Sequence, residues 1–149
     1  MARIDFAFGA ADRLRMACAV VQKHYSAGRR LIVYTQDQQR LAHFDRLLWG
    51  FEATAFVPHV MADHPLAADT PVILMNNLEG QPIQGGEAWL INLDLQCPPE
   101  ADRYPRILEI VSNHDDDKRA ARERWRQYQA NGHTLHAHDV SGRNPDASA

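Results

Sequence analysis

Apolar and polar positions divide the chain into short segments of two alternating periods. Ile4, Phe6 and Phe8 alternate with small or polar residues, a period of two that predicts a strand ended by Gly9. After Asp12 the period becomes helical: Leu14, Ala17, Cys18, Val21 and Tyr25 mark one buried face, and Gly28 stops the helix. Leu31-Ile32-Val33-Tyr34 predicts a second strand. Thr35 to Asp37 turns into a helix with Leu41, Phe44, Leu47 and Leu48 inward, ended by Gly50.

Residues 51–70 carry no clear period. Strands follow at 71–75, 89–93 and 107–111, separated by a Gly/Pro-punctuated loop at 76–86 and a break at Pro98-Pro99. Ser112-Asn113 and the acidic triplet Asp115–Asp117 make a good helix start, because carboxylates favour the exposed amides and the positive dipole end. That helix runs to about residue 130 and closes at Asn131-Gly132, before a last short strand at 134–140. Strands alternating with helices predict a single α/β domain over 1–140. Its sheet is mostly parallel with helices on both faces. The small polar residues 141–149 are expected to be a disordered tail.

Composition narrows the function classes. A chain of 149 residues with 45% hydrophobic and 23% charged residues can bury a real core. Its formal net charge of -3 argues against gripping duplex DNA with the whole surface. Cys18 falls on the apolar helical face, as a buried reduced thiol would, and Cys97 precedes two prolines in a loop. The opening residues lead straight into a strand pattern with no signal peptide, and no apolar run approaches a membrane span, so a cytoplasmic location without membrane contact is expected.

Catalytic signals are weak. The turn after the first strand, Phe8-Gly9-Ala10-Ala11-Asp12, has one glycine and an acid where a phosphate loop needs several glycines and a lysine. His133, His136, His138 and Asp139, with Asp115–Asp117 upstream, hold ligand types that suit zinc or manganese. A strand puts His136 and His138 on one face and His133 on the other, so surface histidines are the simpler reading. Neither cysteine has an activating neighbourhood, and no Gly-x-Ser-x-Gly elbow occurs.

Two features read as binding surfaces. On the last helix, Lys118, Arg122, Trp125 and Arg126 fall at i, i+4, i+7 and i+8, within an arc of about 100°. Three cations and an indole on one face suit an acidic ligand with an apolar tip, since guanidinium forks onto carboxylates and the ring supplies apolar area. Tyr128 lies off this stripe. The second feature is Trp49, Phe51, Phe56, Val57 and Pro58. They either fold under the loop or form an exposed apolar patch of the kind that marks partner sites.

Leu48-Trp49, Phe56-Val57-Pro58-His59, a strand at Pro71-Val72 and Ala121-Arg122-Glu123-Arg124-Trp125-Arg126-x-Tyr128, in that order, resemble the chi subunit family of bacterial DNA polymerase III. The likeness extends from about residue 5 to about residue 140. It implies one α/β domain, like a nucleotide-binding fold without the phosphate loop, with no catalytic activity; no cofactor and no metal are expected. It further implies an adaptor that links the clamp loader to single-stranded-DNA-binding protein by holding that protein's acidic C-terminal tail, which ends in Pro-Phe. The matching pocket positions are Val111, Lys118, Arg122, Trp125 and Arg126, with Tyr128 and Leu135 nearby. The family's other surface, matched by Trp49, Phe56, Val57 and Pro58, binds the psi subunit or a helicase related to DNA repair. DNA contact would then be mainly indirect. The alternatives are a nucleotide-binding α/β enzyme and a direct single-stranded nucleic-acid binder using Arg122, Trp125 and Arg126.

Overall fold

The computed structural model describes residues 2–51, 56–78 and 88–142. In chain order the elements are β1 (Arg3–Ala10), α1 (Arg13–Ser26), β2 (Leu31–Tyr34), α2 (Gln38–Gly50), β3 (His59–Met61), β4 (Val72–Met75), β5 (Trp89–Asn92), β6 (Arg106–Ser112), α3 (Asp115–Ala130) and β7 (Thr134–Asp139). Single 3-10 turns sit at Ala67–Asp69 and Ala101–Arg103. The strands form one sheet in the order β3-β4-β2-β5-β6-β1-β7, and every pairing is parallel.

A parallel sheet must be covered on both faces, and its central strands therefore read as continuous apolar runs. All residues of β2 and β4 are buried, accordingly. On one face Leu31, Val33, Leu74 and Ile91 pack against Cys18 and Val21 of α1 and Leu41 and Phe44 of α2. On the other, Ile4, Phe6, Ile32, Leu90 and Ile107 pack against Ala121 and Tyr128 of α3. The α/β architecture with helices on both faces is thus as expected. Burial pushes the Cys18 thiol up to about 12, which fits an inert core thiol.

Local chemistry starts each helix where the sequence places it. The Asp12 carboxylate accepts from Arg15 N, and Asp37 Oδ1 accepts from Gln39 N and Arg40 N at 3.0 and 3.1 Å. The cap of α3 is His114, two residues beyond Ser112. From the acidic triplet, Asp117 reaches back to accept from Ser112 N at 2.9 Å.

Two details differ from expectation. The stretch without a period contains β3, a three-residue edge strand on β4 in which His59 is buried and Met61 exposed. Three residues are too few to show alternation. Strand β1 continues one residue past Gly9, which forms a bulge: Phe8 pairs with Val111 and Ala10 with Ser112. Gly9 has φ of +86°, and a Cβ there would lie 3.0 Å from Ser141 Cβ, so both conformation and space require glycine. The expected loop at 76–86 lies mostly, and the tail beyond Gly142 wholly, outside the described residues.

The carboxylate of Asp5, only 4% exposed, is surrounded by cations at the amino end of β1. Burial alone would raise its pKa. Hydrogen bonds from His138, Arg3 and Arg106 outweigh this and bring it down to about 2. Because the folded value lies below the usual 3.8, this stabilisation is fully present above about pH 4 and fades as pH falls towards 2. Asp5→Asn is expected to remove it and flatten the acid limb of a stability-versus-pH curve. Denaturant midpoints between pH 6 and 2 check this, and a variant curve parallel to wild type would refute it.

Candidate ligand cavity on the last helix

Helix α3 lies over β6 and β1, and between them opens a cavity of about 550 Å³ at the carboxyl ends of the strands. Val111, Lys118, Arg122, Trp125 and Arg126 all line it. The floor is apolar. Phe6 meets Trp125 at a ring-centroid distance of 5.2 Å, with Val111 and Ala121 beside them. Arg122 and Arg126 are exposed along the helix, and Lys118 and Trp125 are half-buried. Arg126 is engaged in an ion pair with Glu123. The result is an apolar slot with a cationic rim, the combination that suits an acidic segment ending in an aromatic group.

Tyr128 and Leu135 do not line the cavity. Tyr128 is buried, and its hydroxyl donates to Glu109 Oε2 at 2.7 Å. Leu135 packs at the border of the core beneath. Both lie behind the slot. Burial, with the Glu109 charge next in weight, pushes the Tyr128 pKa up, so the hydroxyl stays a donor.

The sequence reading missed residues that β1, β7 and the turn after β7 bring to the slot: Phe6, Phe8, Asp139 and Ser141. Phe8 stands 42% exposed at the rim. The alternation of Ile4, Phe6 and Phe8 was the available signal, since it projects Phe8 beyond the part of the sheet that α3 covers. The Asp139 carboxyl is held below its usual range by the Ser141 hydroxyl and amide, and puts one negative group on the wall facing the cations.

A buried polar cluster positions α3. Glu109, fully buried on β6, accepts from Arg124 Nε at 3.0 Å, Asn92 Nδ2 at 2.8 Å and the Tyr128 hydroxyl. Arg124, 1% exposed, also donates to Leu95 O at 3.1 Å. The inner face of α3 is thereby tied to β6 while its outer face carries the cationic stripe.

At the strand ends where α/β sheets bind nucleotides, Arg13 donates to the carbonyls of Ile110, Leu93 and Asp94 at 2.9 to 3.0 Å, and Arg40 donates to Leu93 O. Protein side chains satisfy the backbone there. Among the described residues, no group of three histidines, cysteines or acids is placed to hold a metal ion. His133 precedes β7 and its Nδ1 accepts from Ala2 N at 3.1 Å, His138 bonds Asp5, and His136 is exposed. Cys97 is half-buried against Arg124 O, and its thiol is pushed up to about 11 by burial. No described helix is long and apolar enough to cross a membrane.

The second expected surface divides. Trp49 and Phe56 are 50% and 65% exposed, with rings 5.4 Å apart, and Trp49 stacks at 4.1 Å on His59. His59 is buried between Val57 O at 2.8 Å and Asp45 Oδ1 at 3.0 Å. Val57 is instead buried in the α1/α2 core layer, and Pro58 is half-buried. Trp49 and Phe56 therefore form the surface, and Val57 anchors the segment beneath it.

The family described as DNA polymerase III chi subunit, HolC, matches residues 1–136. The chain belongs to that family. The DNA polymerase III subunit chi of Pseudomonas aeruginosa is 32% identical over 142 residues, covering 93% of this chain and 96% of the relative. Those of Haemophilus influenzae and Escherichia coli are each 24% identical, over 84% and 81% of this chain and 85% and 81% of their own lengths. The family resemblance read from the Phe56–His59 and Ala121–Tyr128 blocks is thus borne out. The relatives are named as the chi subunit of DNA polymerase III, and the chain accordingly groups with the chi subunits of that DNA-replicating polymerase.

Proposed function

We propose that this chi-family chain links the clamp loader to single-stranded-DNA-binding protein by holding that protein's acidic, Pro-Phe-terminated tail in the α3 cavity. The observation that carries the reading is the convergence of Lys118, Arg122, Trp125 and Arg126 on one slot floored by Phe6 and Val111. The terminal phenylalanine enters between Trp125 and Val111. Arg122 and Lys118 take the terminal carboxylate and the acidic side chains. Trp49 and Phe56, remote from this slot in sequence and carried by other elements, form the surface for the psi subunit or a repair helicase.

The test is a titration with a fluorescent acidic peptide ending in Pro-Phe at two salt concentrations, beside a control lacking the final Phe. Micromolar affinity that weakens with salt and needs the Phe is expected. Equal binding of the two peptides would overturn the apolar-slot assignment, and tighter binding of an oligonucleotide would favour the single-strand binder instead.

A further inference from the structure

Strands β5, β6 and β1 are neighbours in the parallel sheet, so their first residues lie side by side at one edge. Arg3 pairs with Arg106, and Leu90, next to Trp89, pairs with Ile107. The end of α1 brings Lys23 and His24 to the same edge, and Arg29 follows in the turn. Guanidinium carbons of Arg29 and Arg106 lie 4.3 and 4.4 Å from the centroid of the half-buried Trp89 ring, and His24 meets that ring edge-on at 5.2 Å. Beside them Lys23, His24, Arg106 and His138 line a small cavity of about 160 Å³ containing Asp5. Asp5 already accepts from Arg3, Arg106 and His138.

The local charge is therefore positive on a chain whose net charge is -3. His24 registers this field: burial first, then Arg106, Lys23 and Arg29, push its pKa down to about 4. A cluster of cations serving only as partners for Asp5 would not need the exposed Lys23 and Arg29. We propose that this edge, with Trp89 at its centre and Lys23, Arg29 and Arg106 around it, is a second binding surface that takes single-stranded nucleic acid. Lys23, Arg29 and Arg106 suit backbone phosphates, and the exposed Arg29 guanidinium, held over the Trp89 ring, is the planar group on which a base stacks, a pairing tolerant of sequence. The cavity at this edge, about 160 Å³, is much smaller than the 550 Å³ slot under α3 that the aromatic-tipped peptide is proposed to enter. Trp89 packs on the α1/α2 side of the sheet, whereas the α3 cavity opens on the other side at the carboxyl ends, so both can be occupied together.

Fluorescence anisotropy of a labelled oligothymidylate with the full chain tests this. Wild type is expected to bind weakly, with affinity falling steeply in salt. Lys23→Glu combined with Arg29→Glu is expected to lower affinity at least about tenfold at low salt, and to reduce the salt slope by about 1.4, the share of two phosphate contacts. Arg29→Lys keeps most of the binding, and affinity for the acidic Pro-Phe peptide stays the same in every variant. Unchanged oligothymidylate binding in the double variant would overturn the proposal. So would displacement of the oligonucleotide by the Pro-Phe peptide, which would put it in the α3 cavity. Equal, mutation-sensitive binding of polyglutamate would assign the edge to an acidic protein instead.

Discussion

Glu109→Ala is expected to cost on the order of 3–5 kcal/mol of folding free energy, because it leaves a buried guanidinium without its carboxylate. Arg124 is 1% exposed and its Nε points at Glu109 Oε1. The same substitution strips the Tyr128 hydroxyl of its acceptor. Asn92 fares better, since its amide also donates to Gln96 O at 3.0 Å. A well-packed apolar replacement of the whole cluster behaves differently from removal of one member, because desolvation of both charges is then avoided. Glu109→Leu with Arg124→Met and Tyr128→Phe should therefore recover most of the lost stability. Guanidinium chloride unfolding of the single and triple variants is the measurement. A single-variant loss below about 1 kcal/mol would mean that water reaches the pair and that α3 is held by apolar packing alone.

The same cluster shows where the sequence stops being legible. The alternation of β1 and the helical spacing of α1 and α2 follow from burial of one face, a local property, and these elements lie where their periods place them. The stripe Lys118, Arg122, Trp125 and Arg126 is also local, being one face of one helix, and it does line one cavity. The pairing of Glu109 with Arg124 joins two elements across the helix–sheet layer. Within its apolar strand run Glu109 shows no partner, and Arg124 reads as one more charge in a charged helix. The faint signal was the spacing of Ala121, Arg124 and Tyr128 at i, i+3 and i+7, which puts an arginine on the buried face. Phe8, Asp139 and Ser141 reach the slot because β1 lies between β6 and β7, an order that no local period encodes. The Arg29–Trp89–Arg106 group likewise depends on strand order, which periodicity does not reveal.

Arg122→Ala is expected to weaken binding of the acidic Pro-Phe peptide by about 1–3 kcal/mol, the scale of a lost hydrogen bond to a charged group. Trp125→Ala should cost a similar amount for another reason, since it removes the wall of the apolar slot that faces Phe6. Salt separates the two. Arg122 is exposed, so its contribution is screened and the deficit of its variant shrinks as salt rises, while the Trp125 deficit persists. Arg126→Ala should do less than Arg122→Ala, because Arg126 already shares its charge with Glu123. Trp49→Ala should leave peptide affinity intact while impairing the other protein partner, because Trp49 contacts Phe56 and His59 at the end of α2 and does not line the α3 cavity. Titrations of these variants with the peptide, and pull-down of the second partner by each, test the division. If Arg122→Ala and Trp49→Ala each damaged both interactions, the two surfaces would be one coupled site. The separation between α3 and the end of α2 would then carry no functional meaning.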